Sequence, residues 1–413
     1  MHLYRQEPTA LSIMSSTSRQ FPLNQPPSHN PPPRLRLQFP DDTQRVFTAY
    51  IGAQVHSRDA EDAQQNLALL NEPRTQIQHW LADPINAPVS TEQFLVVDDS
   101  PNHTSSAQSR PSPTSNSVLN STPNSPSIVW VCYWTNETKY HTSISNLALR
   151  EIHASLNPAS RPYIGLWAEY FPSDVQRLET VYSATDYLPG LARLPGTSTA
   201  QHVHTGYWGA ARDRIPASAD DLFEENVRHP PLDQPVTELL GSYVVGTSPH
   251  NMIHIRSGQL WANCDEEERD DYLNSLEPKL RGGLDYLWRS PGESGSSAVR
   301  YLVNISLDET NLPSESRVDI PFQKKDEACV TAFFRSFAHL EHWSARHRSH
   351  LVIHAGAVKH GKKYGDGRKF RTWHEVSVLK DGEGRFEYVN CLPGTGAMRD
   401  TVVVEKQDLN TNS

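Results

Sequence analysis

The chain has 413 residues, 38 Lys and Arg against 48 Asp and Glu, a net charge of −10 and an apolar fraction of 37%. That balance argues against phosphate-backbone binding, which draws on clustered Lys and Arg, and no apolar run reaches the roughly 18 residues of a membrane span. The low mean hydropathy of −0.60 comes from local polar stretches, so the rest of the chain can still bury a large core.

In chain order, residues 1–43 are rich in Pro, Gln, Ser and Asn and include "FPLNQPPSHNPPPRLRLQFP". A segment that buries so little apolar area does not offset its ordering entropy, so a disordered N-terminal extension is expected. "MHLYRQEPTALSIMSS" has no apolar core of a signal peptide. A helix is expected over about 61–82, between the strand-like runs "RVFTAYIGAQ" and "EQFLVVD". Residues 98–127 hold one large apolar pair, Val118-Leu119, and form a second disordered segment, an insertion between "EQFLVVD" and "SIVWVCYW". Further helices are expected at about 139–156, 174–184, 262–289 (kinked at Pro278) and 326–345. Further strands are "GLWAEYFP", "YVVGTSPHNMIHIRSG", "TWHEVSVL" and "RFEYVNC", the last two joined through the Asp381-Gly382 turn as a hairpin. Residues 44–403 form the folded domain and 404–413 a tail. Helices and strands mixed without strict alternation indicate an α+β fold.

Cys132, Cys264, Cys329 and Cys391 are widely spaced with no CxxC pair, which indicates reduced thiols and a cytoplasmic location. The sequons at Asn102, Asn120, Asn136 and Asn304 are then unused.

"AHLEHWSARHRSHLVIH" (338–354) places five histidines in one short stretch. Val330, Phe333, Phe337, Leu340 and Ser344 fall on one helical arc, which leaves His342 opposite and His339 on its flank, both as solvated positions. His347 lies between two arginines in a basic connector. His350 and His354 are four apart and could share an ion, but zinc needs a third ligand and a supporting carboxylate, and "HEVSV" lacks the second histidine of HExxH. A haem iron needs only one neutral imidazole, so spacing alone does not separate a haem site from no metal at all.

Four stretches carry a more specific signal: "HTGYWGAARDRIPAS" (204–218), "NMIHIRSGQLWANCDEEERDDYLNSLEPKLRGGLDYL" (251–287), "RSHL" (348–351) and "WHEVSVLKDGEGRFEYVNCLPGTGAMRD" (373–400). Together, and in order over about 44–403, the chain resembles the haem-containing aldoxime dehydratases, also called phenylacetaldoxime dehydratases. The resemblance implies a dimeric α+β barrel-type haem fold of ferredoxin-like repeats. It also implies haem b, active when ferrous, and dehydration of R–CH=N–OH to a nitrile and water. Carried over by motif, His350 of "RSHL" is the axial iron ligand and His374 of "TWHEVSV" the distal acid-base group. Arg214 of "ARDRIP" and Ser257 of "IRSG" hold the departing oxygen, and Glu179 of "VQRLETVYS" supports Arg214 and His374. An aldoxime substrate, an electron donor and a homodimer follow as partners, with neither nucleic acid nor membrane. The alternatives are a haem peroxidase or chlorite dismutase-like oxidoreductase on the same fold, and a non-catalytic haem-binding protein.

Taken singly, each residue has a plainer role. Arg214 could pair with Asp213 or Asp220, Ser257 could end a strand, and His374 could sit exposed on one. Only their ordered co-occurrence favours the catalytic assignment.

Overall fold

Runs rich in β-branched and aromatic residues become strands, as their fit to a pleated, half-buried surface requires. The computed structural model describes residues 19–56, 67–98, 127–225, 239–307 and 322–409. The strands are β1 Arg34–Gln38, β2 Arg45–Val55, β3 Ser90–Asp98, β4 Ser127–Trp134, β5 Ile164–Asp174, β6 Leu178–Tyr182 and β7 Ser198–His202. The second half adds β8 Ser242–Thr247, β9 Ile253–Leu260, β10 Ser296–Leu307, β11 Phe322–Phe334, β12 Arg371–Val378, β13 Arg385–Val389 and β14 Val402–Asp408. Among the described residues all fourteen join one sheet, in the order β14-β8-β13-β5-β2-β4-β3-β10-β11-β9-β12-β6-β1-β7.

That order contains one pattern twice. Strands β2 to β5 are arranged β5-β2-β4-β3, and β9 to β12 are arranged β12-β9-β11-β10. In the first unit the helix Asn71–Leu81 lies between β2 and β3, and the helices Glu137–Leu147 and Leu149–Ser155 lie between β4 and β5. In the second, the helices Glu266–Asp271 and Glu277–Arg289 precede β10, and the helices Phe337–Arg346 and Arg348–Tyr364 precede β12. Each unit is therefore a ferredoxin-like βαββαβ repeat, and the α+β class holds. The repeats join edge to edge through β3 and β10, with Leu302 opposite Val96. Each then lends a strand to the other: β6, which follows β5, pairs with β12, and β13, which follows β12, pairs with β5.

The sheet curls strongly. Tyr50 on β2 and His254 on β9, with four strands between them in sheet order, pack with ring centroids 5.0 Å apart. Ser173 on β5 reaches Ser377 on β12 through a 2.8 Å hydroxyl contact. The concave face holds a shared core that includes Trp167, Phe171, Phe333, Trp373 and Phe386. The convex face of each repeat packs against its own helices, around Trp130 and Trp134 in the first and Trp261, Leu284 and Trp343 in the second.

Several elements differ from the sequence-based expectation. Residues 174–184, expected as a helix, contain strand β6, because "LETVY" finds ladder partners on both sides in β12 and β1. The expected 326–345 helix is strand β11 up to Phe334 and a helix only from Phe337. Its apparent helical arc joins strand residues Val330 and Phe333 to helix residues by coincidence. Strand β10 was not expected. The 139–156 helix breaks at Ala148, which has a left-handed φ of 44°, and the 262–289 helix passes through a π turn at Tyr272–Leu276 just before Pro278. Asp381-Gly382 does make a turn, but β12 and β13 diverge to different neighbours, so no hairpin forms.

The extension expected over 1–43 also needs correcting where it is described. Residues 34–38 form β1, paired along its length with β7, and Leu37 is buried. Composition counted apolar burial and missed the polar partners this segment finds. The expected tail from 404 lies largely in β14, paired with β8. The 98–127 insertion leaves from Asp98 on β3 and returns at Ser127 on β4, two antiparallel neighbours; residues 1–18 and 99–126 lie outside the described residues.

Candidate active site

Strands β9, β12 and β6 are neighbours, and their register sets one line of side chains. His374 stands opposite Ser257 on β9 and Val181 on β6. Because successive strand residues alternate faces, His374, Val376, Ser257, Ile255, Val181 and Glu179 share the convex, helix-facing side. Trp373 and Tyr182 turn instead into the concave core. Cross-strand neighbours have Cβ atoms about 5 Å apart, so Ser257 and His374 are adjacent through register alone.

Glu179 is fully buried, and its Oε1 is the hub of the cluster. It accepts from Arg214 Nε at 2.5 Å and lies 3.0 Å from His374 Nε2. Arg214 Nη1 donates to the His204 carbonyl at 2.8 Å, while Nη2 is 3.4 Å from His374 Nε2. One ring nitrogen cannot accept from Arg214 and donate to Glu179 at once. The shorter contact assigns the proton on Nε2 to the carboxylate. Burial alone would raise the Glu179 pKa, but the Arg214 charge, the His374 charge and their hydrogen bonds outweigh it and hold the carboxyl at about 2. The second oxygen, Oε2, is buried without a hydrogen-bond partner.

His350 lies in the first turn of the helix Arg348–Tyr364. Its ring stands edge-on to Trp343, with centroids 4.8 Å apart, and Nδ1 is buried without a hydrogen bond. Burial pushes its pKa down to about 4 against an opposing backbone contact at Ser344, and the charges of His354 and His374 act in the same direction as burial. The result is a neutral imidazole with an unsatisfied ring nitrogen, the form a metal centre binds.

The other histidines of the cluster separate from it. His342 is exposed. His354 is exposed and packs beside Trp208, 5.5 Å between centroids. His347 is not a free surface group. It caps the helix through Nδ1 and Ser349 N and stacks on Tyr286 at 3.6 Å. His339 is half-buried and bonded to Ser336 at 2.8 Å. Among the described residues no three His, Cys, Asp or Glu side chains converge to hold a bare ion.

Near Arg214, nothing in the sequence singles out His202, and Asp213, read there as a possible ion-pair partner of Arg214, takes other partners. His202 is buried with both ring nitrogens unpartnered, and burial drives its pKa down to about 4. Asp213 is buried beside Arg214 but turns away from it and accepts from Asn24 and Tyr207. No local signal separates these residues from ordinary polar loop positions.

Residues 49–397 match the family model described as haem-containing dehydratase. The chain belongs to that family. Among its relatives, the phenylacetaldoxime dehydratase of Bacillus sp. (strain OxB-1) is 27% identical over 281 residues, 68% of this chain and 76% of the relative. The aliphatic aldoxime dehydratase of Pseudomonas chlororaphis is 33% identical over 58% of this chain and 63% of its own length. The chain therefore aligns with less than two thirds of the Pseudomonas enzyme. An aldoxime dehydratase crystallised with butyraldoxime superposes with a TM-score of 0.72 at 25% identity, covering 93% of this chain and 94% of that one. The dehydratase family is haem-containing, and His350, neutral and with an orphaned ring nitrogen, fits an axial haem ligand.

Proposed function

We propose that this haem-containing dehydratase converts aldoximes to nitriles, R–CH=N–OH giving R–C≡N and water, and that His350 would hold the iron of haem b. The observation that carries the reading is the buried Glu179 carboxylate, joined to both Arg214 and His374 beside Ser257.

Held by His350, ferrous haem would supply electron density to the C=N–O unit. The chain supplies the proton chemistry. Hydroxide is a poor leaving group until it is protonated, and a histidine, with its ordinary pKa of about 6.5, can give that proton and then take one back. With Nε2–H donated to Glu179, Nδ1 of His374 is the atom left to protonate the departing oxygen and then accept the aldoxime carbon proton. Arg214, a fixed cation, and the Ser257 hydroxyl hold that oxygen as negative charge develops on it. Glu179 balances the Arg214 charge and fixes the His374 ring, as the aspartate does in a serine protease triad.

The substrate class is aliphatic or aryl-aliphatic aldoximes. A cellular electron donor keeps the iron ferrous, and two chains assemble as a homodimer through the barrel-type fold. Among the described residues no helix is long and apolar enough to cross a membrane. A peroxidase on this fold would need an O–O substrate. Nitrile formation should therefore rise in step with haem loading and need no peroxide. Turnover that appears only with peroxide would reject the dehydratase reading in favour of the peroxidase.

A further inference from the structure

Residues 19–31 lie outside the family-matched region, which begins at residue 49, yet they are bonded throughout to the segment that carries Arg214. Phe21 N donates to the Ala219 carbonyl at 3.0 Å, and Arg19 reaches the Ser218 hydroxyl at 2.8 Å. Asn24 then holds both oxygens of the Asp213 carboxylate, with its backbone N 2.8 Å from Oδ2 and its side-chain Nδ2 2.9 Å from Oδ1. Tyr207 adds a third bond to Oδ2 at 2.7 Å. Further along, Gln25 Oε1 contacts His204 Nδ1 at 3.0 Å, and His29 Nε2 contacts the Thr205 carbonyl at 2.6 Å.

These contacts bracket Arg214. On one side is its chain neighbour Asp213; on the other is His204, whose carbonyl accepts directly from Arg214 Nη1. The intervening helix, Ala210–Arg214, is only five residues long. So short a helix has no stability of its own and takes its position from what it touches. The approach is close: Gly209 has a φ of 91°, and a Cβ added there would lie 2.7 Å from Asn24 Cβ.

We propose that residues 19–31 act as a strap that positions Arg214, with Asp213 as the anchoring residue, Asn24 as its clamp and the His204 segment as the second hold. Asp213 is a positioning residue and touches no substrate. The strap fixes the guanidinium that Glu179 and His374 share, so the geometry of the distal oxygen site is set partly from the N-terminal side of the matched domain. This inference rests on the dehydratase reading for its effect on rate, and on geometry alone for its effect on Arg214.

A double-mutant cycle on haem-loaded protein tests it. Asp213→Ala should lower kcat roughly 10- to 100-fold, as a displaced catalytic group does, with KM within about twofold and haem content unchanged. Combined with Arg214→Ala, it should add little further loss. In the reduced holoenzyme, the infrared stretch of bound carbon monoxide, which responds to distal hydrogen-bond donors, should move in Asp213→Ala. Gly209→Ala, which pushes on Asn24 without touching the carboxylate, should move it the same way. Asp213→Asn, which keeps the shape and one acceptor, should restore most of kcat. Equal loss in both Arg214 backgrounds, or an unmoved stretch in Asp213→Ala and Gly209→Ala, would overturn the strap. If the wild-type protein makes no nitrile, the functional reading fails, while the carbon monoxide arm still decides the strap.

Discussion

Glu179 and His374 lie on neighbouring strands, and Glu179 Oε1 sits 3.0 Å from His374 Nε2 although 195 residues of sequence separate them. They meet because β6, leaving the first repeat, crosses to pair with β12 of the second. The same oxygen holds Arg214. One buried carboxylate therefore positions both the His374 imidazole and the Arg214 guanidinium.

Replacing that carboxylate isolates its role. Glu179→Gln keeps the shape and one acceptor oxygen but removes the negative charge that opposes Arg214 and strengthens the hold on the His374 proton. Nitrile formation should fall about 100-fold, the lower range for disabled acid-base catalysis, with haem content unchanged. Steady-state kinetics and the Soret absorbance measure the two together. Unchanged kcat would remove Glu179 from the mechanism.

His350 and His374 should fail in different ways. His350→Ala removes the proposed iron ligand, so the purified protein should bind haem weakly and lack a normal Soret band. His374→Ala should keep the band. Normal haem binding in His350→Ala would mean that another residue holds the iron.

Stability should depend on pH with a defined sign. Burial depresses His56 and His202 to about 4 in the folded protein, below the ordinary value of about 6.5. Between those values the unfolded chain binds more protons, so this contribution is intact above pH 6.5 and is lost as pH falls toward 4. Glu179, held at about 2, adds a second loss as pH falls from about 4.5 to 2. Thermal melts of the holoprotein should give a level Tm above pH 7 and a steady decline below 6.5. A Tm that stays level down to pH 5 would contradict the burial of these two rings.

The concave core contains a charge pair that is costly to break. Arg300 donates to both oxygens of Glu169 at 2.8 and 2.7 Å, over the face of Trp167. Glu169→Ala strands a buried cation and should cost about 3–5 kcal/mol in urea unfolding, whereas replacing both partners with methionine should cost far less. Equal losses in the two variants would show that the pair is solvated.

Short motifs point to the candidate site residues more directly than local patterning points to the strand order. His350, His374, Arg214 and Ser257 each sit in a short motif, because local chemistry constrains local sequence. Glu179 was placed by resemblance inside a stretch expected to be helical, and the structure puts it on strand β6. Pairing with β12 and β1 overrode local periodicity there, as it did at Val330 and Phe333 on β11. The hold of Asn24 on Asp213 left no trace in composition. Polar, proline-rich segments look alike whether they stay loose or find polar partners far along the chain.

The most direct test of the account is a binding and turnover comparison on reduced, haem-loaded His374→Ala under anaerobic conditions, with butyraldoxime and phenylacetaldoxime. Each aldoxime should still shift the Soret band, since the iron and His350 are intact, while nitrile output drops by a factor of about 10² to 10⁴. Wild-type rates of nitrile formation in His374→Ala would contradict the account.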